Sequence, residues 1–391
     1  KFMITIILIY FWLNIIILFA LFLMLIFFGK NKYNKISLKN DYENNDIIDT
    51  IIPVKNGDSA TLRNIINLLD IQSNSKNKII VVIEDEEEEI FNELKELSLK
   101  SNNIKLIISG KPAENVMGKA HNMLAGLRHS SAKYICFKDD DVGINELVYQ
   151  NHLDILKDKK CGGVFTPSFY ENSENFGSKL LMIMTNYNFS ELLMLLPENY
   201  KVNYATGACM TYKREALEKV DLESLQNYIS DDGYLGNNVY KAGYNIGISS
   251  KPAYMDAEDY NFVDSVKHLF RWLVVIKKVI GWQYLLVPSF FTIGNLSLIF
   301  IITTLFDKFN LYILFGLIIA IIYKVMVSII QDKFVHRRIF NVNHYLFIVG
   351  AGIIQPYIWF VSLFLQKLIW HNRIYKVGKS GKIISIKELK V

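Results

Sequence analysis

The chain has 391 residues, of which 51% are hydrophobic, and a formal net charge of +5. This composition is too apolar for an ordinary soluble domain and excludes a disordered, highly charged chain. The small positive excess points to anionic lipid headgroups, and a nucleic-acid partner is not expected. The three cysteines, Cys136, Cys161 and Cys209, have no metal-type spacing, and their odd number suits a reducing compartment without structural disulfides.

In chain order, the first element is the apolar run Phe2–Phe28, in which Asn14 is the only strongly polar residue. It exceeds the roughly 20 residues that cross a bilayer. It shows no basic leader and no small-residue cleavage site, so residues 1–29 are expected to form a retained transmembrane anchor. Lys30, Lys32, Lys35 and Lys39 follow it, which puts the hydrophilic middle of the chain on the cytoplasmic side.

Ile47–Val54, Lys78–Ile83, Ile104–Ile108 and Tyr134–Phe137 read as continuous apolar strands of the kind buried on both faces. Thr61–Leu69, Glu86–Leu99 and Lys119–Arg128, between them, carry helix-period apolar positions. The acidic stretch Glu86–Glu89 reads as a solvated helix start favoured by the helix dipole. Leu180–Leu196 suits either an amphipathic segment or a core helix. The basic, amphipathic stretch Ser265–Trp282 is expected to lie on a membrane surface, within an interfacial segment 263–283.

Three further apolar runs, Tyr284–Phe306, Leu311–Ile330 and Tyr345–Trp370, make residues 284–370 a set of C-terminal transmembrane helices. Lys333, Arg337 and Arg338 agree with a cytoplasmic hydrophilic middle. The basic tail, residues 371–391 with Arg373, Lys376, Lys379 and Lys382, disagrees with a simple count of spans. A re-entrant or interfacial C-terminal segment therefore stays open.

Strands alternating with helices imply an α/β domain with a mainly parallel sheet over residues 30–262. Ligands of such sheets lie at the carboxyl ends of the strands, where Asp85 and Asp139–Asp141 both fall. A turn capping the helix Asn145–Lys157 needs only one aspartate. Three crowded carboxylates repel one another unless a cation sits among them, and hard oxygen ligands suit Mn²⁺ or Mg²⁺ with a phosphate-bearing substrate. Neither a P-loop nor a G-x-G-x-x-G dinucleotide fingerprint is present. A second acidic pair, Asp231–Asp232, lies farther along.

Asp85, GKAHN (Gly118–Asn122), the DxD-like Asp139–Asp141, TGACM (Thr206–Met210), Asp231–Asp232 and HLFRW (His268–Trp272) occur in that order ahead of the C-terminal apolar runs. Together with the tail WHNRIYKVGKSG (Trp370–Gly381), this set resembles the ceramide glucosyltransferase family of membrane-bound inverting GT-A glycosyltransferases, including bacterial and archaeal lipid-glycosylating relatives. The resemblance implies a GT-A, Rossmann-like fold, a nucleotide-sugar donor such as UDP-glucose, a divalent metal and a lipid acceptor such as ceramide.

Carried over by position, Pro53 and Asp85 would contact the base, and Lys119 and Asn122 the donor diphosphate. Asp139 and Asp141 would serve the metal, with Asp139 also near the ribose. Gly207 and its neighbours would wall the acceptor side beside Asp231, and Asp232 would be the general base. His268, Arg271 and Trp272 would close over the diphosphate. His268 stands where the family has Gln or Arg, which puts its contact in doubt. The Arg271–Trp272 pair also reads as plain interfacial anchoring. Rival readings are a processive polysaccharide synthase, a polyprenyl-phosphate sugar transferase, and a membrane scaffold that keeps the fold without activity.

Overall fold

A computed structural model describes residues 2–24, 26–27, 46–72, 76–189, 193, 201–257, 260–307, 311–333, 339–370 and 373–388. Lys30, Lys32, Lys35, Lys39, Arg337 and Arg338, on which the orientation rests, lie outside the described residues, as does Phe28. Two compact units form: an α/β unit from Ser37–Asn172, Glu198–Asp256 and Lys367–Val391, and a helical unit from Lys1–Ile36, Ser173–Pro197 and Ala257–Gln366.

The α/β unit contains strands β1 (Ile48–Pro53), β2 (Ile79–Ile83), β3 (Ile104–Ile108), β4 (Tyr134–Lys138) and β5 (Val142–Gly143), followed by β6 (Cys161–Phe165), β7 (Ser168–Glu171), β8 (Cys209–Lys213), β9 (Asn245–Ile248) and β10 (Ala253–Asp256). Its main sheet has seven strands in the order β3-β2-β1-β4-β8-β6-β9. All neighbours are parallel except β8, which runs antiparallel to β4 and β6. The expected α/β class with a mainly parallel sheet is what folds.

Continuous Ile and Val in β1, β2 and β4 follow from burial on both faces, and every residue of these strands is buried. The edge strand β3 keeps that composition but leaves Ile108 48% exposed. Beneath β8, His152 is fully enclosed between the hydroxyls of Thr211 (2.8 Å) and Thr166 (2.6 Å). Burial pushes its imidazole down to about 3, so it is a neutral core group.

Residues 86–90 form turns, and the following helix, Phe91–Lys100, starts later than the sequence pattern suggests. Glu88 within the turns is buried and accepts from the Asn56 amide at 2.8 Å. The acidic run is thus not a uniformly solvated helix start, because one of its members satisfies the loop after β1.

The C-terminal residues fold as an antiparallel sheet of β11 (Leu368–Trp370), β12 (Arg373–Val377) and β13 (Ile383–Glu388). It is fastened within the α/β unit by Ile229 N to Gly381 O (2.9 Å) and by Ile386 N to the Asn115 side chain (2.8 Å).

In the helical unit, Leu311–Gln331 and Val342–Phe364 are long and apolar enough to cross a membrane. The expected span Tyr284–Phe306 is instead broken: Phe262–Pro288 and Ile293–Leu305 meet at 51°, after a 3-10 stretch containing Pro288. Proline removes a backbone donor and clashes with the preceding turn, which accounts for the break. The last helix ends at Phe364, short of the expected Trp370, where Lys277 donates to the carbonyls of Ser362, Leu363 and Leu365. A cation on those terminal carbonyls suits the negative end of the helix.

Asn14, the one strongly polar residue of the first helix (Phe2–Met24), accepts from Asn295 at 3.2 Å. Phe176–Met184 continues as a π-helical turn, Thr185–Phe189, and Leu180–Met184 and Tyr187 are buried, so this part of Leu180–Leu196 is a core helix.

Candidate active site

The site is built at the carboxyl end of β4. Asp139 follows the strand directly, and its amide donates to Ala208 O at 2.7 Å, so the strand exit and the Thr206–Met210 segment share a ladder. Asp140 continues the turn, its carbonyl accepting from Asn64 (3.1 Å) and its carboxylate from Thr61 (3.4 Å). Asp141 is exposed.

Lys119 sits in the first turn of the helix Gly118–Leu127. Its ammonium lies 2.7 Å from Asp139 and 3.1 Å from Asp231, so two acidic motifs far apart in sequence meet on one cation. Asp231 opens the helix Asp231–Lys241 behind the N-cap Ser230, where the helix dipole favours negative charge.

Asp232 is held from three directions. Gly207 N donates to its Oδ2 at 3.1 Å, while the Ser230 hydroxyl and Gly233 N both donate to Oδ1. Gly207 has φ +106, and a Cβ there would lie 2.9 Å from Thr166 O, so only glycine readily brings this amide to Asp232.

The electrostatics follow from burial and crowding. Burial, then Asp141 and Asp139, push Asp140 up to about 8. Burial also raises Asp139, to about 6, with Lys119 opposing and Asp141 and Asp231 adding to the rise. Asp232 is raised by burial and by the neighbouring Asp231. Burial alone would lower Lys119, but Asp139 and Asp231 outweigh it and hold the ammonium well above the usual lysine range. It is a permanent charge.

Other residues singled out by sequence have different surroundings. Pro53 ends β1, buried opposite Val82. The Asn122 amide is used between strands, donating to Val54 O (3.3 Å) and Val82 O (3.4 Å) while accepting from Ser109 (2.7 Å). The carbonyls of Val54 and Val82 are thus met by an amide from the adjacent helix.

Asp85 accepts from Glu87 N and lies 3.6 Å from Lys111 at a partly exposed position. The deeply buried acid after β2 is Glu84, 2.7 Å from Lys55. Sequence reading missed Glu84 and Lys55, although both lie at or just beyond the ends of β2 and β1.

His268, Arg271 and Trp272 belong to the helical unit, on the helix Phe262–Ile280. His268 is buried, with Arg271 Nη2 at 3.2 Å from its Nδ1 and the Trp272 ring at 4.7 Å. A guanidinium can only donate, so that nitrogen accepts and the ring is neutral there.

Among the described residues no group of three or more His, Cys, Asp or Glu side chains is arranged as a metal cage. The chemistry of the donors nevertheless fits a divalent ion, since Asp139 and Asp141 are hard oxygen ligands in a crowd of like charge.

The chain matches the family model described as glycosyl transferase family 21 over residues 14–383. No curated protein matches it in sequence. Among solved structures, it is similar to the mannosyltransferase PcManGT from Pyrobaculum calidifontis in complex with GDP-Man and Mn²⁺, with 13% identity and a TM-score of 0.45, over 88% of this chain and 98% of that one. That likeness is too distant to carry a substrate. The family match spans nearly the whole chain, and the protein belongs to glycosyl transferase family 21, the ceramide glucosyltransferase family, and is a glycosyltransferase.

Proposed function

We propose that the protein transfers a hexose, glucose from UDP-glucose, to the hydroxyl of a lipid such as ceramide at the cytoplasmic membrane face, with inversion at the anomeric carbon. The observation that carries this reading is the Lys119 ammonium shared by Asp139 and Asp231, with Asp232 beside them. The membrane-length helices and the family support a lipid acceptor. The basic residues after the first helix support the cytoplasmic side.

In this reading Asp232 takes the proton from the acceptor hydroxyl. Its raised pKa makes it a better base near neutral pH, and Gly207 and Ser230 keep the carboxylate aimed. The acceptor oxygen bonds to the anomeric carbon, the bond from that carbon to the phosphate oxygen breaks, and the nucleoside diphosphate leaves. Lys119 supplies fixed positive charge at the carboxylate edge where the diphosphate departs.

Asp139 and Asp141 would hold Mn²⁺ or Mg²⁺, which when bound neutralises charge on the leaving diphosphate. Pro53 and the acidic pair Glu84–Asp85 flank the base end, and Gly207 and Asp231 the acceptor side. His268, Arg271 and Trp272 would contact the donor diphosphate, the role that the family resemblance gives them.

Calorimetric titration of the purified protein with UDP-glucose, with and without Mn²⁺, tests the donor half. Metal-dependent binding is expected, and its absence would defeat this reading. Mass spectrometry of lipids from cells with and without the gene identifies the product, and an unchanged lipid profile would remove the lipid acceptor.

A further inference from the structure

Lys55, Glu84, Glu88 and Arg373 make a second charged cluster, separate from the aspartates that surround Lys119. Glu84 is 2% exposed and Glu88 8% exposed, yet both carry charge partners: Lys55 is 2.7 Å from Glu84 and 3.9 Å from Glu88. Such pairing offsets part of the cost of burying a carboxylate.

The other cation comes from the tail. A Cβ placed on Gly118 would lie 2.7 Å from Glu84 Oε1 and 3.6 Å from Arg373 Nη1, so carboxylate and guanidinium approach the same point of backbone. Any side chain at 118 would displace the Glu84 carboxylate and touch the Arg373 guanidinium. That point is one residue from Lys119, whose ammonium joins the two catalytic motifs.

The strand carrying Arg373 pairs with β13, and that strand and the turn before it are fastened to the α/β unit. Ile386 N donates to Asn115, in the loop before Gly118, and Ile229 N donates to Gly381 O, just before the Asp231–Asp232 pair. Met117 N in turn donates to Gln226 O. The tail sheet therefore spans the loop leading to Lys119 and the segment leading to Asp232. Arg373 has a long contact to Glu388, at 3.8 Å, whose side chain is 80% exposed. Its fork also lies by the Tyr375 hydroxyl, to which it hydrogen-bonds.

We propose that Glu84 and Arg373 form a paired acceptor and donor that reads the edge of the donor's nucleobase, and that the C-terminal sheet is thereby a working part of the donor site. This rests on the nucleotide-sugar reading above. A base edge presents ring N–H groups beside carbonyl oxygens, which a carboxylate and a guanidinium match as a pair. A phosphate at the same place would meet Glu84 repulsively, which is why the base is favoured over the diphosphate. A tail that merely braces the fold would not need a buried acid opposite its arginine.

The test compares UDP, or GDP if that binds more tightly, with inorganic pyrophosphate, each titrated with Mn²⁺ into the full-length protein. Arg373→Ala is expected to weaken the nucleotide roughly 10- to 100-fold, the range for one hydrogen bond to a charged group, and to leave pyrophosphate unchanged. Arg373→Lys keeps the charge but loses the fork, so it is expected to fall between wild type and alanine with the same ligand pattern. It also keeps the test decisive should the alanine protein fail to fold.

Equal weakening of nucleotide and pyrophosphate, or no change in either, overturns the base-reading role. Wild-type protein that binds neither ligand removes the donor reading and this inference with it.

Discussion

Two clusters of ionisable groups withdrawn from water, one in each unit, are handled differently. In the helical unit Asp332 is fully buried, but Tyr187 donates to one of its oxygens (2.6 Å) and Tyr345 to the other (2.9 Å), while Lys324 donates to Tyr187 O (2.6 Å). Each charge there meets hydroxyls or carbonyls, as apolar surroundings demand. At the strand edge of the α/β unit, Asp139 and Asp140 crowd each other and share too little positive charge, so their carboxyls sit at about 6 and about 8. Satisfied burial holds helices together, whereas strained burial marks the place where a ligand does the compensating.

This contrast breaks if substitutions in the two places behave alike. The largest effect is expected from Asp141→Ala, which should weaken metal-dependent UDP binding roughly 100-fold or more by removing a ligand, as second-shell changes alone cost 10–100-fold. Calorimetry with Mn²⁺ measures it, and an unaltered affinity would take Asp141 out of the metal site. Lys119→Met should lower donor affinity by about 10- to 100-fold, since it deletes a half-buried cation between two carboxylates.

In the helical unit the outcome is expected to be stability and not catalysis. Asp332→Asn should cost about 1–3 kcal/mol through the tyrosine hydroxyls it leaves poorly paired, read as a lower Tm, with transfer per folded molecule unchanged.

The pH dependence sharpens the same contrast. Asp139 and Asp140 have folded pKa values above the ordinary aspartate value, so they bind protons more tightly when folded. The stability this contributes is present below pH about 4 and is lost as pH rises through about 6 and about 8. Protein kept in chelator should therefore melt lower at pH 8.5 than at pH 6, and Mn²⁺ should raise its Tm more at the higher pH. Scanning calorimetry at both values checks this, and a metal effect independent of pH would count against the cluster as the ion's site. Gly207→Ala meets both a left-handed backbone position and the Thr166 carbonyl 2.9 Å from its Cβ, and is expected to cost about 1–3 kcal/mol of stability, seen as a lower Tm.

Much of the fold and part of the site could be read before the structure, for physical reasons that differ by element. β1, β2 and β4 were legible because strands buried on both faces must be continuously apolar. β6 begins Cys161–Gly162–Gly163, without β-branched residues or alternation, and β8 carries mixed Cys, Met, Thr and Lys. Neither pattern signals a strand, so the antiparallel member of the sheet stayed hidden.

The acidic motifs were legible because crowded carboxylates are costly without a purpose. Their bridging by Lys119 could not be read, since it depends on two loops meeting. The tail was legible only as a basic stretch after the last apolar run, because the alternation that folds β12 and β13 is short. The broken span around Pro288 was signalled only by that proline within an otherwise apolar run.

The most direct measurement is the Asp232→Asn variant assayed twice, for UDP binding with Mn²⁺ by calorimetry and for glycolipid formation by mass spectrometry. Nucleotide affinity close to wild type with transfer reduced by about 100-fold or more is expected, the usual scale for a lost general base. Full transfer to a lipid alcohol by that variant would contradict the assignment of the base and, with it, the chemistry ascribed to the carboxylate edge.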